Sequence, residues 1–434
     1  MPPVHPPAPP PSTTRSLHNW MGLVAAALVF AWLSDSGQPT LHLELLLLSV
    51  LLLTIGALDL IRCKTHRRAS AGLDLAQARP PDLRRVAVKL LGLAGTLGLL
   101  ALWYWLIPEY HGGFYHPAAM ALRLVGLPLL VLLAGGIFFL DGRLRQPEDG
   151  FFQAGLALLG RFRRVDQEAL RLHLLGWAVK GFFTPIMFVY LCCVLEDLRG
   201  FAIAAWTPGE VVRAAVLLTL GVDLLFTVAG YLFSTRVLDT HLRSVDATLL
   251  GWLVTLVCYR PLWDGLERPY FAYHGDNWEI WVGQGALGWV WGGAICLCLF
   301  VYAWSTLTFG LRFSNLTHRG ILTNGPYRLT RHPAYLSKNL SWWLISMPFL
   351  SNVGVGDALR RSLLLLLVNG IYFLRARTEE RHLGRDPVYR AYADWMDRHG
   401  PLRFLSRRLL FLRFRPPPGT SAPVGEGPCA AATL

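Results

Sequence analysis

The sequence predicts an all-α polytopic membrane protein with about ten transmembrane helices and both termini in the cytoplasm. Three observations carry that prediction. The 434 residues are 53% hydrophobic and only 16% charged, several apolar runs reach the ~20 residues needed to cross a hydrocarbon core, and basic residues alternate between successive loops. A soluble multidomain enzyme of this length carries more charge and shorter apolar runs. The net charge of +13 suits nucleic acid in principle, but the arginines fall mainly in short loops between spans. The positive-inside rule accounts for them there, and no nucleic-acid partner is expected. Seven cysteines, mostly inside apolar runs, lack a metal-ligand spacing and read as small core residues; no metal is expected.

In chain order, residues 1–19 carry "PPVHPPAPPP", which cannot hold a helix and is expected to be a disordered lead-in. The ten expected spans lie near residues 20–34, 41–61, 86–107, 118–140, 172–195, 211–233, 246–263, 281–308, 339–356 and 358–376. The first is read as a helix, since no small-residue cleavage site follows Leu33. The connection from Arg62 to Arg85 carries seven Lys/Arg, whereas the next, "PEYHGGFYHP", carries none. Connections 141–171, the one after Phe233, and 309–332 are again basic; 196–210 has a single arginine and 264–279 is mostly acidic. That alternation puts both termini and the 309–332 connection in the cytoplasm. Within 141–171, "FFQAGLALLGRF" reads either as an interfacial helix or as a further core helix. Residues 20–280 form an N-terminal transmembrane region of unassigned role and 281–410 a membrane module. The tail, 411–434, is expected to be unfolded on its proline, glycine and alanine content, and its "CAAATL" end is not a prenylation box.

Two polar collections stand out. The first, "GPYRLTRHPAYLSKNL" from Gly325 to Leu340, lies between the eighth and ninth expected spans. Gly325 and Pro326 mark a turn, and Pro333 marks a helix start. The free N–H groups there, with Arg331, His332 and Lys338, make a seat for a carboxylate or phosphate, and the same cations equally suit headgroup anchoring. In the second, "FLRARTEERHLGRDPVYRAYADW", Arg375 and Glu379 are four apart and share a helix face, with Glu380 one position round. Adjacent carboxylates at a membrane surface suit a cation, an amine or hydroxyls; a solvated salt-bridge face is the plainer reading. Asp223, Lys180, Lys89, Asp59 and Glu44 lie in or near spans, either as functional groups or as paired structural ions. His241 and Arg243, with Asp239 and Asp246, form a polar loop on the motif's side that is positioned to close a site from above.

Taken together and in this order, the two collections resemble the isoprenylcysteine carboxyl methyltransferases and the related phospholipid methyltransferases. The matching elements are Gly325-Pro326-Tyr327, Arg331-His332-Pro333-Ala334-Tyr335, Arg375-Ala376-Arg377-Thr378-Glu379-Glu380, Leu383, and Tyr389 with Tyr392. The similarity covers roughly residues 285–405. It implies an enzyme that binds S-adenosylmethionine in a cytoplasm-facing pocket and methylates a membrane lipid or lipidated substrate, with carboxyl O-methylation favoured. It further implies that Gly325, Tyr327, Arg331, His332, Pro333, Tyr335, Glu379 and Glu380 border the cosubstrate. Arg375 and Arg377 then either lie near the acceptor or brace the glutamates, Lys338 is a further candidate on the substrate side, and His332, Glu380 and Arg377 are the candidates for a catalytic role. Ser337 stands where many members have glycine, and Lys338 is expected either to snorkel to the interface or to meet an acidic head group. Two other readings are an NADPH-dependent membrane reductase of the sterol-reductase kind, which shares an Arg-His-x-x-Tyr-like segment, and a non-catalytic transporter or scaffold.

Overall fold

Polar side chains at the loop boundaries set where the long helices begin. Asp82, Asp149, Asp166 and Thr207 each accept hydrogen bonds from the first free N–H groups of the helix that follows. In a computed structural model of the chain, which describes residues 8–266 and 277–417, the helices are α1 (Ser16–Leu33), α2 (Thr40–Arg62), α3 (Leu83–Leu106), α4 (His116–Asp141), α5 (Gly150–Leu158), α6 (Gln167–Gly200), α7 (Pro208–Leu232), α8 (Leu249–Leu256), α9 (Leu262–Leu266), α10 (Trp278–Val282), α11 (Gly285–Phe309), α12 (Pro333–Ser346), α13 (Val355–Leu383), α14 (Pro387–His399) and α15 (Arg403–Arg408). Two short strands, β1 (Ser244–Val245) and β2 (Thr317–His318), pair antiparallel. The protein is an all-α membrane protein.

Among the described residues, seven helices are long and apolar enough to cross a membrane: α1 to α4, α6, α7 and α11. The other three expected spans take different forms. Residues 246–263 are not one helix, because the chain turns after α8 and Pro261 cannot continue an α8 hydrogen-bond ladder. Its ends nevertheless reach opposite faces: the Asp246 N–H donates to the Leu316 carbonyl (2.7 Å), and the Arg260 guanidinium lies 4.1 Å from the Phe114 ring centroid, just before α4. The expected span 339–356 is displaced. Helix α12 starts at Pro333 and stops after 14 residues, where Met347 turns left-handed (φ 38°) ahead of Pro348. Residues 358–376 are the middle of the 29-residue α13, whose two ends are heavily charged.

The two disordered ends also differ from expectation over the part that is described. Residues 8–14 pack on the 320–324 loop, with the Thr13 N–H on the Ile321 carbonyl (3.0 Å). Phe414 is buried against Tyr389 and Tyr392. Residues 1–7 and 418–434 lie outside the described residues. The "FFQAGLALLGRF" segment is a packed helix: a Cβ on Gly92 of α3 would lie 1.9 Å from the Phe151 carbonyl oxygen of α5, and one on Gly155 would lie 2.0 Å from that of Val88. Only glycine permits so close a crossing.

The chain ends and the loops after α2, α4, α7 and α11 gather on one face. Arg68 reaches Asp239 (3.4 Å), Leu73 bridges Leu144, and the β1–β2 pair joins the post-α7 loop to the post-α11 loop. On the opposite face the Arg199 Nε donates to the Ser34 carbonyl (2.9 Å). Between the faces, α6 and α7 supply the central core, where Phe183, Ile186 and Phe226 are fully shielded. Helix α11 packs between α7 and α12. An amide chain then ties α12 to α13: Trp343 Nε1 donates to Asn369 Oδ1 (2.8 Å), and Asn369 Nδ2 to Asn339 Oδ1 (2.7 Å). Such interhelical bonds replace a hydrophobic driving force that lipid does not provide.

Candidate functional site

The site begins at a turn that only glycine fits. Gly325 has φ +56°, and a Cβ there would lie 2.8 Å from the Thr308 hydroxyl. Asn324 before it donates to the Thr14 carbonyl (3.1 Å) and the Ser16 hydroxyl (3.0 Å) and accepts from Ser12 (2.8 Å). Tyr327 is buried, and its carbonyl accepts from the Tyr392 hydroxyl (2.6 Å). Tyr389 and Tyr392 therefore hold the turn through packing and one hydrogen bond. Pro333 opens α12 at the position where a missing N–H costs nothing. The first turn that follows stacks His332 on Tyr335, centroids 5.6 Å apart and planes 5° from parallel.

Opposite them, past the long apolar run of α13, stand the two glutamates, and they are not equivalent. Glu380 is buried and saturated. It accepts from Arg331 Nε (2.7 Å), contacts His332 Nε2 (3.2 Å) and accepts from Arg377 Nη1 (2.5 Å). Burial alone would push its carboxyl up; the hydrogen bond and charge of His332, then Arg331 and Arg377, outweigh that and bring it down to about 2. Arg331 is fully engaged as well, since its other two nitrogens donate to Asp397 (2.6 Å) and to the Leu412 carbonyl (2.6 Å). Arg331 is thus a brace, with no edge left for a ligand carboxylate. Arg377 is turned to Glu380 and the Arg413 carbonyl; it does not face an acceptor. Glu379 is half-buried, takes one hydrogen bond from the Tyr335 hydroxyl (3.1 Å), and pairs with no cation among the described residues.

Deeper between the helices lie two cations in an aromatic nest. Arg375 is 6% exposed, donates to Asn315 Oδ1 (3.1 Å), and lies 5.2 to 5.9 Å from the ring centroids of Tyr372, Tyr335 and Tyr259. Lys338 does not snorkel. Its ammonium sits 5.1 to 5.8 Å from the rings of Tyr302, Trp342 and Tyr372 and 3.4 Å from the Tyr302 hydroxyl. That hydroxyl donates to Asp223 (2.6 Å), as does Thr306 (2.7 Å). Neither cation pairs with a carboxylate directly among the described residues. Ser337 is buried with its hydroxyl on the Pro333 carbonyl (2.7 Å) of its own helix.

The site therefore gathers His332, Tyr335, Glu379, Arg375 and Lys338 into one contiguous cluster, with Arg331, Arg377 and Glu380 as its frame. Sequence reasoning missed Tyr302, Tyr372, Tyr259 and Asn315 as members. Tyr302 and Thr306 at helical i, i+4 spacing were the available signal. The other intramembrane ions are paired: His18 with Asp59 (2.7 Å), Lys89 with Asp141 (3.0 Å) and Asp149 (3.2 Å), Cys192 with Glu44. Lys180 lies 5.2 Å from the Trp177 ring. The polar loop does not close the site as a lid. Asp239 is buried among Arg68, Arg243 and Arg312, and from that loop Ser244 and Thr248 reach α13, at His382 (3.1 Å) and Arg381 (2.9 Å).

Residues 282–396 match the family model described as a protein of unknown function, DUF1295, so the C-terminal part of the chain carries that domain. The matched segment runs through α11 to α14 and holds His332, Tyr335, Glu379, Glu380, Arg375 and Lys338, whereas Asp223, Tyr259 and Asp397 lie outside it. No curated protein and no solved structure matches the chain.

Proposed function

We propose that this protein is an integral-membrane methyltransferase that uses S-adenosylmethionine to methylate a lipid-like acceptor, with carboxyl O-methylation as the favoured reaction. The observation that carries the reading is the convergence, across one helical hairpin, of a stacked His332–Tyr335 pair, a carboxylate with an open oxygen at Glu379, and two cations, buried Arg375 and half-buried Lys338, without carboxylate partners among the described residues. DUF1295 proteins form a membrane-associated group like both steroid 5α-reductases and methyltransferases, which is compatible with it.

The residues fit the cosubstrate's chemistry. Glu379 suits an amino or sulfonium cation, and the His332–Tyr335 faces suit a purine ring. A buried cation is costly unless paired, so Arg375, with half-buried Lys338 near it, suits an acceptor's carboxylate. When bound, S-adenosylmethionine would supply an electrophilic methyl whose carbon–sulfur electron pair returns to sulfur as the acceptor oxygen's lone pair forms the new bond. An ionised carboxylate acceptor needs no general base. The protein's work is alignment and exclusion of water, which the aromatic nest provides.

Equilibrium binding to the purified full chain tests this. S-adenosylmethionine is expected to bind, with Glu379→Gln weakening it about tenfold, near the ~1.5 kcal/mol of one charge-assisted hydrogen bond. A Tyr335 hydroxyl seated on Glu379 beside Arg375 also suits proton donation to carbon during hydride reduction, so NADPH is the necessary comparison. Binding of NADPH with none of S-adenosylmethionine would overturn the methyltransferase reading in favour of the reductase.

A further inference from the structure

Beside Glu380, on the outer side of α13, a cleft of about 260 Å³ opens between α8, α13 and the C-terminal segment. Three arginines line it, Arg377, Arg381 and Arg415, with Leu250, Leu374 and Pro416 among its other walls. The one acidic residue in its lining, Glu380, has both oxygens already taken. The cleft is therefore a cationic pocket with no free counter-charge among the described residues. Donors are spare: Arg381 spends one nitrogen on the Thr248 hydroxyl, Arg415 is exposed, and the latter has no hydrogen-bond or ion-pair partner among the described residues.

The surroundings say where the counter-charge comes from. Leu250 of α8 and Leu374 of α13 are 45% and 41% exposed, so the cleft has an exposed apolar wall beside its cationic one. The adjoining stretch from Arg403 to Arg415 contains five arginines while exposing Phe404, Leu409 and Phe411. Basic residues interleaved with exposed apolar ones characterise a segment lying in a headgroup layer.

We infer that this cleft binds a phosphate group, presented by an anionic phospholipid whose chains run along Leu250 and Leu374 and whose head sits among Arg377, Arg381 and Arg415. Guanidinium forks match phosphate oxygens in paired hydrogen bonds. The site stands apart from the proposed methyl transfer and does not depend on it. A head group held there would rest against Arg377, which braces Glu380, so an occupied cleft would stiffen the frame of the neighbouring site.

Native mass spectrometry of the delipidated full chain in detergent tests this with phosphatidylglycerol, with phosphatidylcholine as the zwitterionic control, and with inorganic phosphate as competitor. Wild type is expected to retain phosphatidylglycerol in preference to phosphatidylcholine. The double variant Arg381→Ala/Arg415→Ala is expected to lose about tenfold or more in phosphatidylglycerol affinity, at several-fold per interfacial arginine, while keeping its unfolding temperature. Displacement by millimolar phosphate would assign recognition to the phosphate alone. Retention against phosphate would assign it to the whole lipid. Equal binding of the two lipids by wild type, or an unchanged preference in a folded double variant, would overturn the inference.

Discussion

Glu379 and Glu380 are neighbours with opposite fates, and substitutions should separate them. Removing the buried Glu380 carboxylate takes from Arg331, Arg377 and His332 the anion they share, so Glu380→Ala should destabilise the protein by about 3–5 kcal/mol, the usual cost of breaking a buried ion pair, read as a lowered unfolding temperature. Glu379→Gln should leave that temperature nearly unchanged and act on cosubstrate binding. A second residue-scale prediction concerns pH. Burial holds His241 and His318, both in loops outside the spans, down from 6.5 to about 4, with Asp386 opposing the shift at His318 and Arg236 adding to it at His241. A histidine with a depressed folded-state pKa contributes stability that is full above 6.5 and is lost as pH falls toward 4, because the unfolded chain then binds more protons. Unfolding temperatures across that window should fall with pH, and less steeply in His318→Gln; a flat profile would refute the assignment. The resemblance implied that His332, Tyr335, Glu379 and Glu380 border one site, but which glutamate meets which ring was not legible, because spacing along each helix does not fix contacts between helices. The saturation of Arg331 was not legible either. Its partners Asp397 and Leu412 come from segments with no spacing relation to the motif.

Helices raise a different question, namely where apolar runs stop being spans. Apolar length correctly locates α2, α3, α4, α6, α7 and α11, because a run of ~20 apolar residues has few other stable fates. It overestimates 246–263 and misplaces 339–356, where Pro261 and Pro348 interrupt the helix; a hydropathy reading averages over those single residues. The packing of "FFQAGLALLGRF" was left open because glycine-mediated contact depends on the partner helix. Gly155→Leu should therefore be severe: its Cβ would enter the space of the Val88 carbonyl, costing at least the ~1–3 kcal/mol of overpacking. Loss of folded yield, against a silent Gly98→Leu where a Cβ meets nothing within 4 Å, checks this.

Over the whole molecule, the N-terminal region is a wall of the site. Asp223 on α7 anchors Tyr302, which meets Lys338, and Tyr259 flanks Arg375. Under the proposed function, Asp223→Asn should reduce acceptor turnover several-fold while sparing S-adenosylmethionine affinity; equal losses in both would place Asp223 elsewhere. This connection was invisible in the sequence because 79 residues separate Asp223 from Tyr302 and neither belongs to a recognisable motif.

The chain's described ends dock on the same loop, Thr13 against Ile321 and Leu412 against Arg331. The consequence is one of timing during synthesis. The Thr13 N–H must wait for its Ile321 partner while some three hundred residues are made, and the frame around Glu380 closes only after Leu412 leaves the ribosome. Ribosome-stalled intermediates ending before Leu412 would carry every helix of the hairpin and still hold an unfinished frame around Glu380, so the hairpin's completion and the site's completion are separate events of biogenesis.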